Sequence, residues 1–137
     1  MWRCDAEVQK ALIERLAAHG ALTALLAGGA SGVREFVRPD AAFPYVVLAG
    51  VASAPFETQG HGGCEVTARL EVYSRKPGGL ECRTILAKVQ EALLAAALVV
   101  EGQQVSDLRL MGGDSALMDD GQTYRARLVA RIFCEPV

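Results

Sequence analysis

The chain has 137 residues, of which 51% are hydrophobic, 22% charged and only 6% aromatic, and its formal net charge is −2. A chain near this size buries roughly 70% of the surface its unfolded form exposes, so one domain over residues 1–137 can hold a core without disulfide or metal staples. The apolar content excludes a disordered chain, and the absence of a basic surplus argues against sequence-independent binding to nucleic acid. The longest uncharged apolar run, Ala92 to Val100, falls far short of the ~20 residues that span a bilayer. The opening Met1-Trp2-Arg3-Cys4-Asp5 has no basic stretch followed by an apolar one, so no signal peptide is expected. Cys4, Cys64, Cys82 and Cys134 are dispersed along the sequence without a CxxC pair. They read as reduced thiols acting as small buried hydrophobes in a cytoplasmic protein.

Asp5 to His19 reads as a helix, capped by Asp5, with Val8, Leu12 and Leu16 on its apolar stripe. Gly20 is placed to stop it, Ala21 to Leu26 can add a helical turn, and Gly28 to Gly32 breaks regular structure. Val33 to Val37 forms a short strand, and Arg38-Pro39-Asp40 turns the chain. Tyr45 to Val51 is apolar on both faces, as in a strand covered on both sides. Ser53 to Gly63 is expected as a loop containing Phe56, Glu57 and His61.

The following strand is patterned most clearly, with Cys64, Val66, Ala68, Leu70 and Val72 alternating with Glu65, Thr67, Arg69, Glu71 and Tyr73. Leu80 to Ala97 is a second helix, with a stripe of Leu86, Val89, Leu93 and Ala97 widened by Ile85 and Ala92. Val105 to Met111 is a strand that places Ser106, Leu108 and Leu110 on one face and Val105, Asp107 and Arg109 on the other. Gly112 to Gly121 connects it to a last strand, Gln122 to Cys134, whose Ala126, Leu128, Ala130 and Ile132 alternate with Arg125, Arg127, Val129 and Arg131. The order predicts an α+β fold: a mainly antiparallel sheet of four to five strands with two main helices on one face.

Residues that could carry chemistry lack the company they would need. His61 stands three residues before Cys64, a spacing open to a nucleophile–base or metal pair, but Cys64 falls on the apolar face of its strand. Gly28 to Gly32 lacks the lysine of a phosphate loop. Asp114, Asp119 and Asp120 lack the spacing of a calcium loop, and Asp119-Asp120-Gly121 is ordinary turn sequence. No catalytic residue, cofactor or metal is therefore expected. The polar strand faces gather Arg125, Arg127 and Arg131 on one strand and Glu65, Arg69 and Glu71 on another. Pairing between these charges, across strands or across a subunit boundary, is the favoured reading over a phosphate track.

Several segments in order carry a resemblance. They are Val8 to Leu12 with Leu16-Ala17, Leu22 to Leu26, Phe43-Pro44-Tyr45-Val46-Val47-Leu48, Leu70 to Arg75 followed by a helix from Leu80, and Asp119 to Arg125. Together they resemble the tail-completion, or tail-terminator, family of tailed phages and phage-derived gene transfer agents. The resemblance implies a non-enzymatic assembly protein. It would form a homo-oligomeric six-fold ring that caps the head-proximal end of the tail tube and joins it to the head connector. DNA would pass through without specific binding, and no membrane is implied. Assembly would be cytoplasmic, and the protein would then reside in the particle. In this reading Phe56, Glu57 and His61 belong to a partner-binding loop. The alternatives are a head-completion or connector-adaptor protein and, from another class, a small ligand-binding or enzymatic α+β domain.

Overall fold

The computed structural model describes residues 4–58 and 61–136. The chain builds helix α1 (Asp5–Ala18), the single turn α2 (Gly20–Thr23), a 3-10 turn (Gly29–Gly32) and a two-residue strand β1 (Val33–Arg34). The long strands β2 (Tyr45–Thr58) and β3 (His61–Ser74) follow, then helix α3 (Leu80–Leu94) and strands β4 (Gln103–Leu117) and β5 (Tyr124–Pro136). The fold is α+β, with a five-stranded sheet of order β1-β2-β3-β5-β4. Only β1 and β2 pair in parallel; β2/β3, β3/β5 and β5/β4 are antiparallel. Among the described residues no helix is long and apolar enough to cross a membrane.

The period-two alternation sets the sheet's inner face. Val66, Ala68, Leu70 and Val72 stand opposite Ile132, Ala130, Leu128 and Ala126, and all eight are buried. Helices α1 and α3 cover this face with Val8, Leu12 and Leu16 from one, and Ile85, Val89, Ala92 and Leu93 from the other. The buried stripe of α3 therefore runs through Ile85 and Cys82 rather than Leu86, which packs at its margin. Arg15 ties the helices together: its guanidinium donates to the carbonyls of Ala92, Ala96 and Ala97 at 3.1, 2.8 and 2.7 Å. This places a cation at the C-terminal end of α3, on the Ala92 carbonyl of its last turn and on two carbonyls just past its end at Leu94.

Several local expectations are corrected. Cys4, not Asp5, is the N-cap residue of α1 and it makes no side-chain cap, while Asp5 and Glu7 supply negative charge in the first turn. Gly20 does not end α1 in a left-handed turn. His19 breaks the helix in an extended conformation and Gly20 opens α2. The left-handed positions fall later, at Gly28 and Gly29 (φ 80° and 62°), where they start the 3-10 turn. The predicted strand Val33 to Val37 shortens to two residues, and α3 ends at Leu94, three residues before Ala97.

The largest correction concerns Ser53 to Gly63. Its described residues, 53–58 and 61–63, continue the β2–β3 ladder in place of the expected loop: Ser53 pairs with Val66, Phe56 with Gly63, Glu57 with Gly62 and Thr58 with His61. Backbone pairing overrides the loop-like Gly, Ser and Pro composition here. Pro55 is tolerated because β2 borders open space at this height, so its missing N–H breaks no inter-strand ladder on that side.

The predicted connection Gly112 to Gly121 is likewise mostly strand, since β4 continues to Leu117. It passes through a bulge between Leu110 and Gly113, where Gly112 takes φ 103° and a Cβ at Gly113 would stand 2.5 Å from the Arg127 carbonyl oxygen. A second bulge between Val105 and Asp107 shifts the parity of β4. Val105 therefore joins Leu108 and Leu110 beside the core, instead of facing away from them with Asp107 and Arg109.

Candidate interaction surface

Among the described residues, no helix packs on the sheet's second face. Its side chains are the polar halves of the alternating strands, and the register brings the predicted charges together. Glu71 stands opposite Arg127, and Thr67 opposite Arg131. Arg131 Nε donates to Glu65 Oε1 at 2.7 Å, reaching diagonally across β3 and β5. Arg127 forks onto Asp114 at 3.0 and 2.8 Å. This holds the exposed Asp114 carboxyl below its ordinary range, chiefly through the hydrogen bond from Arg127. Glu71 instead accepts from the Tyr73 hydroxyl at 2.8 Å. Burial, aided by that hydrogen bond, pushes Tyr73 up to about 12. The guanidinium of Arg69 lies over Gly50, in space that a Cβ would fill. Arg125 flanks Tyr73, and its charge partly offsets the upward shift. A hollow of about 350 Å³ runs between Arg69, Glu71, Met111, Asp114, Arg127 and Val129. Of its charged lining residues, Arg127 and Asp114 pair with each other.

Two aromatic clusters flank this network. At one end Phe43, Tyr45 and Tyr73 stack with centroids 5.1 and 5.3 Å apart. Arg75 stands 4.3 Å over Phe43 and donates to Thr123 Oγ1 at 3.1 Å. This accounts for the apolar outer face of Tyr45 and Val47, both buried. Toward the other end Phe133 is buried on the polar face, between the guanidinium groups of Arg109 and Arg131 at 5.4 and 5.7 Å.

The acidic loop builds a turn. Asp120 accepts from Thr123 Oγ1 at 2.5 Å, Thr123 N at 2.8 Å and Gln122 N at 3.0 Å. These bonds lower its pKa to about 2, the Thr123 hydroxyl contributing most. Among the described residues no three His, Cys, Asp or Glu side chains are placed to hold a metal ion. Cys64 is buried on the inner face of the sheet. The side chains of Phe56, Glu57 and His61 lie outside the described residues; their backbones form the distal β2–β3 arm.

Sequence reasoning missed three features. Cys64 and Cys134 are cross-strand partners, and Cys4 meets both in a buried three-thiol cluster. Burial, then the neighbouring sulfurs, raises Cys4 well above the usual thiol range, so these are inert packing groups. Their shared inward parity on β3 and β5 was the available signal. Asp114 was missed as the partner of Arg127 because the bulge at Gly112 hides the continuation of β4. The third feature is the pair of open sheet edges. β1 pairs only with Val46 and Val47 of β2, and β4 ends the sheet on the other side.

This architecture has known counterparts. Residues 10–135 match the family described as "Tail completion protein gp17". The tail completion protein gp17 of Bacillus phage SPP1 is 32% identical over 95 residues, spanning 69% of this chain and 67% of that protein. The solved structure of bacteriophage SPP1 gp17 matches with a TM-score of 0.61 and 26% identity, over 93% of this chain and 88% of that one. A chain in the virion of a native gene transfer agent particle matches with a TM-score of 0.85 and 23% identity, over 98% and 99% of the two chains. The alignment of sequence and fold over nearly the whole chain places this protein in the tail completion protein gp17 family.

Proposed function

We propose that this protein is a structural subunit that forms a six-fold ring at the head-proximal end of a phage-like tail tube, ends tube growth there and joins the tube to the head connector. The family match over residues 10–135 carries this reading, and the fold likeness to a chain of a gene transfer agent virion supports it. The charged outer face suits assembly better than catalysis, because its carboxylates and guanidinium groups engage one another across strands and converge on no reacting position. A net charge of −2, with arginines held in such pairs, lets DNA pass without a strong grip. The subunit folds as one domain, assembles in the cytoplasm and ends as part of the particle, with the tail-tube protein and the head connector as neighbours. The β2–β3 arm, including Phe56, Glu57 and His61, reaches beyond the helix-covered core and serves as the contact to a neighbour or to the tube.

Deletion of the gene in its producing cell is the direct test. The expected result is tails of unregulated length and heads without attached tails under the electron microscope, restored by the wild-type gene. Phe56→Ala should leave the subunit folded and lower the yield of complete particles. Normal particles from the deletion strain would overturn the reading. Tails of normal length that fail only to find heads would move the protein to the connector side of the joint.

A further inference from the structure

The two edges of the sheet differ in a way that bears on how copies meet. Among the described residues, no strand covers the outer side of β2 from Leu48 to Thr58, nor the outer side of β4 along its length. An open edge presents unpaired N–H and C=O groups, and proteins usually blunt it with charge, proline or a bulge. The β4 edge is blunted by two bulges and by Asp107, Arg109 and Asp114. The β2 edge carries no charge from Tyr45 to Pro55; its blunting features are one bulge and Pro55. A long uncharged edge built of Ala, Gly, Val and Ser is a template for another strand.

Polarity selects the occupant. Three antiparallel steps separate β2 from β4, so the two edges run in opposite directions. When copies stand side by side with the same end up, β4 of one lies antiparallel to β2 of the next, which is the more stable ladder. The charges of β4 do not oppose the contact, because they are engaged within their own chain: Asp107 bonds Arg109 at 2.6 Å and Asp114 bonds Arg127 of β5. Apolar groups wait beside both edges. Phe36, 71% exposed, flanks the hollow next to Leu48 and Val51, which Asp5 and Glu35 also line. Exposed Leu94 flanks a hollow beside Val105 and Leu108.

We infer that the β2 edge over residues 49–55 receives β4 of a second copy, so that the sheet continues antiparallel from subunit to subunit. The contact joins two different surfaces, the heterologous kind that closes into a ring when its rotation permits. The inference rests on the ring reading above and adds the surfaces that make the ring.

The test uses Ala54→Cys and Arg109→Cys, both exposed and on the outer face, in a chain whose own four cysteines are buried. Particles are assembled from the two variants co-expressed and from each alone, then treated with a short bis-maleimide. Circular dichroism of each variant checks folding, and Ala52→Cys replaces Ala54→Cys if that variant fails. The expected product is a covalent dimer from the mixture, with none from either variant alone. The edge-facing amides within residues 49–54 and 103–117 should also exchange about tenfold more slowly in the ring than in the dispersed subunit. Dimers from Ala54→Cys alone would mean like-with-like edge pairing and overturn the inference. Six-fold rings visible by electron microscopy, with neither cross-link nor protection, would overturn it while leaving the ring intact. Absence of any ring would overturn both.

Discussion

Leu70 and Leu128 face each other across β3 and β5, each 1% exposed, in a row that Leu48 of β2 extends. The helices close over this row, so truncation leaves a cavity that the sheet cannot collapse to fill. Leu70→Ala and Leu128→Ala should each cost about 2.7–5 kcal/mol, the transfer free energy of the lost atoms plus the cavity. For a domain of this size, roughly 4 °C per kcal/mol lowers the melting temperature by about 10–20 °C. The double variant should depart from additivity by about 0.5 kcal/mol or more, since the two sites share one cavity. Leu70→Asp or Leu128→Asp should abolish folding, because an unpaired buried charge costs a large share of the ~5–15 kcal/mol that such domains possess. Thr67→Ala, on the opposite face, is the control and should change stability by about 0.5 kcal/mol or less. Urea and thermal unfolding followed by circular dichroism measure all of these. Alanine variants that lose less than about 1 kcal/mol, with Thr67→Ala losing more, would show that the inner and outer faces are exchanged.

Arg15→Ala should destabilise by about 1–2 kcal/mol, because it removes the part-buried bond to the Ala92 carbonyl and two exposed bonds to Ala96 and Ala97, whose carbonyls water can then reach. Hydrogen exchange should show the loss concentrated in the last turn of α3, and Arg15→Lys should restore only part of it, since one ammonium cannot reach all three oxygens. Asp120 gives a pH signature. Its folded pKa of about 2 lies below the unfolded 3.8, so its contribution is present above about pH 4 and is lost as pH falls toward 2. The stability advantage of the wild type over Asp120→Asn should therefore be flat above pH ~5 and shrink below pH ~4. A difference that does not vary with pH would refute that assignment.

The parts of the fold legible from sequence are those where one physical rule acts alone. Cys64 to Val72 and Ala126 to Ile132 alternate without interruption, and the structure keeps that parity: Ala68 meets Ala130 and Leu70 meets Leu128. Bulges are where sequence patterning fails. One extra residue between Val105 and Asp107 reverses the face of every earlier side chain on β4, and no composition rule marks the position. The β2–β3 arm was illegible for another reason. Ser53 to Gly63 holds the residues of a turn, and the strand conformation of 53–58 and 61–63 comes from cross-strand pairing. On the outer face, Arg131 with Glu65 is readable as opposite charges on neighbouring polar faces. Phe133, by contrast, is buried on that same face with Arg109 and Arg131 over its ring.

These particulars bear on how such a small subunit serves assembly. Its core is one-sided: α1 and α3 cover the inner face of the sheet, and α3 is locked to α1 through Arg15. Stability thus resides in one layer, while the outer face and both edges remain free to meet other chains. On the outer face the charges are satisfied locally by Glu65–Arg131 and Asp114–Arg127, so the free subunit leaves those groups compensated before it meets a partner. Docking onto that face must displace or complement those pairs, which disfavours wrong partners more than it strengthens the right one. The β2 edge has no such guard between Tyr45 and Pro55. A strand of matching polarity can add there without breaking an ion pair of the β2 strand itself, so the edge pairing inferred above would meet less local resistance than docking onto the charged face.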